Sequence, residues 1–169
     1  MHLKQINKKM AYQKLQVSGG LSVIPSATVR IPDPSTQVLT GIADFSVAST
    51  LTDVGTTFLT AGIQTNAIVY NTTAQIAYYI TDVTDDLNIA LSPATTGGAT
   101  DSYVIYNAAT IGCILYVGTA GNATVLMADQ NGLGGSEITF TNLPNASFLP
   151  TQVIRVAATT TATDIIALW

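Results

Sequence analysis

The chain has 169 residues, of which 9% are charged, with a mean hydropathy of +0.38 and a net charge of −4. An ordinary domain carries about 25% charged residues, so a surface this poor in charge suits a protein whose exterior is largely covered by neighbours. The single cysteine, Cys113, excludes an internal disulfide framework and a cysteine-rich zinc site.

The charges are segregated. Lys4, Lys8, Lys9 and Lys14 all precede Arg30, and from residue 31 onward Arg155 alone faces ten acids, a balance of −9. A body this acidic repels phosphates and argues against a nucleic-acid partner. Residues 1–9, "MHLKQINKK", read as a flexible basic leader, with the structured chain starting at "MAYQKLQV". The leader lacks the apolar core of a signal peptide.

Helical periodicity is nearly absent, and short runs of Thr, Val, Ile and Ala alternate with Gly, Asn, Asp and Pro, the pattern of an all-β chain. "LSVIPSATVRIPDP" reads as a strand followed by an extended segment, because residues before Pro are pushed out of the helical region. "GIADFSVASTL", "NAIVYNT", "AQIAYYITDVT", "LNIALS" and "SYVIYN" read as five strands, separated by turn clusters such as "TDD" and "PATTGGATD". Their spacing, over residues 35–109, is that of a small inserted β-barrel.

Residues 102–128 carry no charge, but Gly118, Gly121 and Asn122 interrupt them. "GCILYVG" and "NATVLMA" therefore read as the two arms of a hairpin and not as a membrane span. "SEITFTNL" follows the "DQNGLGG" connection, and "TQVIRVAA" and "DIIALW" are the last strands. In "DIIALW", Ile166 and Leu168 face one way while Ile165, Ala167 and Trp169 face the other. Apolar residues on both sides predict a strand buried on both faces, by sheet packing or by a neighbouring subunit.

No catalytic constellation emerges. His2 is the only histidine and sits in the leader, so a Ser-His or Cys-His system has no base. Cys113 lies among apolar strand residues, as a buried inert thiol does. Asp82, Asp85 and Asp86 offer oxygen ligands for a hard cation, but their spacing matches no EF-hand loop and Asp is also a turn former. Glycosylation triplets at Asn71, Asn122 and Asn145 are expected by chance in a chain rich in Asn and Thr. Tyr78 and Tyr79, being adjacent, point to opposite faces of a strand and make no sugar-stacking platform.

Three stretches carry a family resemblance: "SVIPSATVRIP", "GCILYVGTAGNATVLMA" and "ITFTNLPNASFLPTQVIRVAATTTATDIIALW". Together they resemble the head spike base proteins of tailed phages and gene transfer agents. The matching positions are Val23 to Pro32, Leu115 to Gly118, Thr139 to Pro144, Phe148 to Pro150, Arg155 to Val156 and Ala158 to Trp169. Ala27 stands where the family has Asp, Asn145-Ala146 where it has Ala-Gly, and the terminal turn lacks its glycine. Residues 35–109 are absent from the shortest family members.

The resemblance implies a β-sandwich or jelly-roll-like base domain, formed by residues 10–34 and 110–169, carrying the barrel at 35–109. It also implies a non-enzymatic virion protein on the capsid surface, made in the cytoplasm of a bacterial host and needing no cofactor or metal. Its partners would be its own copies, three or five to a ring, and the major capsid protein or other virion proteins, with no nucleic acid and no membrane. Tyr116, Phe140, Phe148, Ile165, Ile166, Leu168 and Trp169 are the expected packing residues. Arg155 is expected to pair with an acid such as Asp164, and to matter more for assembly than for folding. A tail or neck component, and a receptor- or glycan-binding module, are the alternative readings.

Overall fold

The computed structural model describes residues 19–94, 96–129 and 134–169; the leader and the entry at 10–17 lie outside them. Strands account for 52% of the protein and form two antiparallel sheets, an all-β, sandwich-like arrangement. In chain order the strands are β1 (Gly20–Ser22), β2 (Gln37–Ala43), β3 (Thr50–Thr52), β4 (Ile68–Asn71), β5 (Ile76–Val83) and β6 (Asn88–Ser92). They continue as β7 (Asp101–Tyr106), β8 (Cys113–Thr119), β9 (Gly121–Met127), β10 (Glu137–Leu143), β11 (Ser147–Val156) and β12 (Thr163–Leu168). A 3-10 turn at Pro34–Thr36 precedes β2, capped by Asp33, whose carboxylate accepts the Ser35 N–H at 2.9 Å.

The first sheet has the order β1-β12-β8-β11-β9-β10. Its arrangement corrects the hairpin expected at 112–128, because β8 and β9 do not pair. The ten-residue β11 lies between them, meeting β8 through Ser147–Leu149 and β9 through Val153–Val156. Only Ala120 separates β8 from β9, and the chain turns a corner there against the backbone of Ala162. A Cβ on Gly121 would sit 2.5 Å from the Ala162 nitrogen, so only glycine fits. Leu115, Val117, Val125, Val153, Ile165 and Ala167 fill the core beneath this sheet.

The second sheet has the order β2-β7-β4-β5-β6-β3 and curls into a half-barrel. Its two edges meet at one end, where Asp44 and Thr52 exchange backbone hydrogen bonds of 2.8 and 2.9 Å. The run "GIADFSVASTL", expected as one strand, is accordingly split between β2 and β3. Phe45 turns into the core at 1% exposure, and the Asp44 carboxylate takes the Ser46 N–H at 2.7 Å, starting the turn. Inside the curl, Phe45 stacks on Tyr78 with ring centroids 5.8 Å apart and meets Tyr103 edge-on.

The outer surface of the curl is also covered. Ile68, Tyr70, Ala77 and Tyr106 pack against Ile24 and Val29 of the extended segment after β1. β4 is thereby buried on both faces. The chain entering the second sheet runs beside the chain leaving it, with Thr110 donating to Ile31 and Asp33 to Ala108, at 2.8 and 2.9 Å.

β12 departs from the expected two-sided burial. Ile165 and Ala167 are in the core, but Ile166 on the other face is 37% exposed and Leu168 is half-buried. Because β12 is held between β1 and β8, its inward side chains belong to this chain's own core. Ile165→Ala should destabilise the folded protein by roughly 2–5 kcal/mol, the usual range for a buried Ile truncated in place. Urea unfolding followed by circular dichroism measures it.

Candidate functional site

Direct cross-strand neighbours share a face of a sheet, and the register of the first sheet sets four residues in one row. Ser22 on β1 lies opposite Ile166 on β12, Ile166 opposite Tyr116 on β8, and Tyr116 opposite Phe148 on β11. The Tyr116 and Phe148 rings meet edge-on at 5.4 Å, yet Phe148 remains 57% exposed. Their in-between neighbours Leu115, Val117, Leu149 and Ile165 point the other way and are buried. Ile166, Tyr116 and Phe148 make a short apolar strip across three strands on the outside of the sheet, with the polar Ser22 at its β1 end.

The strip ends in a shallow depression. Gly20, Ser22, Asp164 and Ile166 border a space of about 470 Å³. Asp164 has φ +55°, and opposite it a Cβ on Gly118 would fall 2.7 Å from the Asp164 Cβ, which explains the glycine of "LYVG". A smaller hollow of about 260 Å³ lies where Gln75 of the second sheet approaches Ser22, Thr160 and Thr163.

The residues singled out from sequence divide between two roles. Tyr116, Phe148, Ile166 and Leu168 lie outward or half-open, whereas Phe140 and Trp169 pack against the core that contains Ile165. The Trp169 indole N–H donates to the Thr110 hydroxyl at 2.9 Å. The pairing of Arg155 with Asp164 is corrected. The Arg155 guanidinium pairs with Glu137 on β10 and donates to the Ala27 carbonyl at 2.5 Å, while Asp164 accepts the Thr119 hydroxyl at 2.5 Å.

Arg155 therefore ties the segment after β1 to β10 within the chain, so a cost to folding is expected from its loss. Arg155→Ala should lower unfolding free energy by roughly 1–3 kcal/mol, the range for a hydrogen bond to a charged group. Glu137→Gln should cost less, since it keeps an acceptor. Chemical denaturation of both variants checks the order.

The acids at the β5–β6 turn act within the fold. Asp85 accepts the backbone N–H groups of Leu87 and Asn88 at 2.7 and 2.8 Å, and these bonds with the Asn88 amide hold its carboxyl below its ordinary value. Asp86 accepts the Leu59 N–H at 3.1 Å. Among the described residues no group of three or more His, Cys, Asp or Glu side chains is placed to hold a metal ion. The glycosylation triplets carry turn roles: Asn71 accepts Thr73 and Ala74, Asn122 accepts Asn142, and Asn145 accepts Ala120. His2 and residues 130–133 of the "DQNGLGG" connection lie outside the described residues. Tyr78 is in the barrel core, while the Tyr79 hydroxyl on the other face accepts the Arg30 N–H at 3.0 Å.

Two buried acid pairs were not legible in the sequence. Asp53 accepts the Tyr103 hydroxyl at 2.7 Å, and Asp101 accepts the Asn71 amide at 2.8 Å and the Gly98 N–H at 2.7 Å. Adjacent glycines were the available sign, since a Cβ on Gly97 would lie 2.5 Å from the Asp101 carboxylate.

Burial pushes the Cys113 thiol from 9.0 up to about 12, and its S–H donates to the Val153 carbonyl at 3.2 Å. Burial also raises the Tyr70, Tyr103 and Tyr106 phenols, with Asp53 adding to the rise at Tyr103. The folded state thus keeps protons that the unfolded chain releases. Their stabilisation is fully present below about pH 9 and is lost as pH climbs towards 12. The urea midpoint should fall steadily from pH 9 to pH 11, and Cys113→Ser should remove the earliest part of that fall.

No helix among the described residues is long and apolar enough to cross a membrane. No protein-family model, curated protein or solved structure matches the chain.

Proposed function

We propose that this chain is a non-enzymatic structural protein of a tailed-phage virion, placed on the capsid surface as a spike or fibre base or as a head decoration protein. The observation that carries the reading is the row Ile166–Tyr116–Phe148, an apolar strip on the outside of a sheet in a charge-poor body. An outward Phe and Ile in one row suit a contact that neighbouring copies cover. The resemblance of residues 22–32, 112–128 and 138–169 to head spike base proteins supplies the virion setting. On this reading the chain is a homo-oligomer of three or five, resting on the major capsid protein or another virion protein. Repetition over a capsid lets weak contacts add through avidity.

Phe148→Asp tests the reading, because it puts a charge in the row without touching the core. The variant should fold with an unchanged circular dichroism spectrum and be lost from virus particles by at least roughly tenfold, the factor of about 1.4 kcal/mol of contact. Immunogold labelling of purified particles measures the loss and separates head from tail or neck. Normal incorporation of the variant, or absence of the wild-type chain from particles, would sink the proposal.

A further inference from the structure

A polar hollow of about 260 Å³ opens where the two sheets approach each other. Ser22 of β1, Thr163 and Asp164 of β12, and Gln75 from the turn between β4 and β5 stand at its rim. Small-molecule pockets favour such junctions and usually measure about 300–1,000 Å³, so this one suits a ligand at the small end of that range. Gln75 and Asp164 border it from different sheets, and both hold a positive φ, +56° and +55°. Side chains rarely adopt this region, and strain of this kind clusters where proteins clamp ligands.

The rim has hydrogen-bonding capacity to spare among the described residues. Asp164 Oδ2 takes the Thr119 and Thr163 hydroxyls at 2.5 and 3.3 Å, while its Oδ1 accepts nothing. The Gln75 amide nitrogen donates to the Thr72 carbonyl at 2.6 Å, which leaves its Oε1 open. The Ser22 hydroxyl is exposed. The spare groups are thus two acceptors and one hydroxyl that can donate or accept. No residue lining the hollow is basic, and Val23 and Pro25 supply apolar wall.

A matching ligand brings several O–H donors, carries no negative charge and has one apolar side. Phosphates and carboxylates are repelled by Asp164, and an alkyl chain offers no donor. An alkylammonium gathers its donors on one atom, whereas the open acceptors belong to two different sheets. A sugar ring spreads its hydroxyls around an apolar C–H face and meets every requirement. We propose that this hollow binds one neutral sugar ring, free or at the end of a glycan. Asp164 Oδ1 and Gln75 Oε1 accept ring hydroxyls, and the C–H face lies on Val23 and Pro25. A second ring of a glycan has room in the adjoining depression of about 470 Å³, which shares Ser22 and Asp164 with the hollow. The proposal is independent of the assembly reading, which Phe148→Asp tests on its own.

Titration of the full-length chain with methyl glucoside, methyl mannoside and methyl galactoside, followed by amide NMR shifts, tests the site. At least one should move the amides of Ser22, Gln75 and Asp164, half-saturating at roughly 1–10 mM, as suits a few hydrogen bonds on a small surface. Asp164→Gly, which suits the positive φ, should weaken that binding at least roughly tenfold, the worth of a hydrogen bond to a charged group. Ser22→Trp, on an exposed edge position, should close the hollow and abolish binding. Both variants should keep their amide spectrum away from the hollow. Methyl glucuronide should bind more weakly than methyl glucoside, because its carboxylate meets Asp164. Tighter binding of a disaccharide than of its end ring assigns a glycan end, and equal binding assigns a free sugar. The proposal is overturned if no sugar shifts these amides, or if the shifts persist in both variants. It is equally overturned if the glucuronide binds as well as the glucoside, or if ethylammonium binds more tightly than every sugar.

Discussion

The double ladder of β11 is the constraint on which the rest of the structure depends. One half of this strand pairs with β8 and the other with β9, with a register shift on each side of Val153. The segment after β1 then joins it, as Ser26 donates to Val156 and Ile31 to Ile154, both at 2.9 Å. That segment presents Ile24 and Val29 to the outer surface of the second sheet. β11 is thus the strand that joins β8 to β9 and, through the segment, the first sheet to the half-barrel. The pairing with β8 sets Phe148 opposite Tyr116 and open to solvent.

A second constraint is the scarcity of cations. Arg155 is held by Glu137, and the buried acids are satisfied by neutral donors. Asp53 takes a phenol and the Gly55 N–H, and Asp101 takes an amide and the Gly98 N–H. A carboxylate bonded this way needs no buried counter-ion, whose desolvation often offsets the attraction it brings. The net charge of the body therefore stays strongly negative. Like charge keeps such copies apart in solution, so an association among them has to come from apolar contact.

Strand identity was legible because alternation and turn chemistry are local. "AQIAYYITDVT" and "GCILYVG" contain β5 and β8, and Tyr78 and Tyr79 lie on opposite faces as expected. Pairing was not local. Nothing in residues 112–128 indicates that a strand from 147–156 inserts between β8 and β9, since that depends on the length of β11 and the corner at Gly121. The partner of Arg155 was missed for the same reason: Glu137 is brought to it by β10 and β9, not by sequence proximity. The packing residues were legible as a set, but their division was not. Ile165 and Ile166 are chemically alike, and only the placement of β12 between β1 and β8 sends one into the core and the other to the surface.

That division has a physical consequence for β12. Its inward residues stabilise the monomer, and its outward residues form the floor under Gly20 and the middle of the row. A change at Ile165 is felt first as lost core volume, whereas a change at Ile166 alters a surface that the folded chain does not itself need filled. One strand thus couples the stability of the fold to the shape of its outer surface. The coupling runs through the ladder with β8, because Tyr116 is placed opposite Ile166 by the same hydrogen bonds that place Leu115 and Val117 in the core. An outer row built on a strand held between two neighbours is fixed by the same ladder as the core behind it.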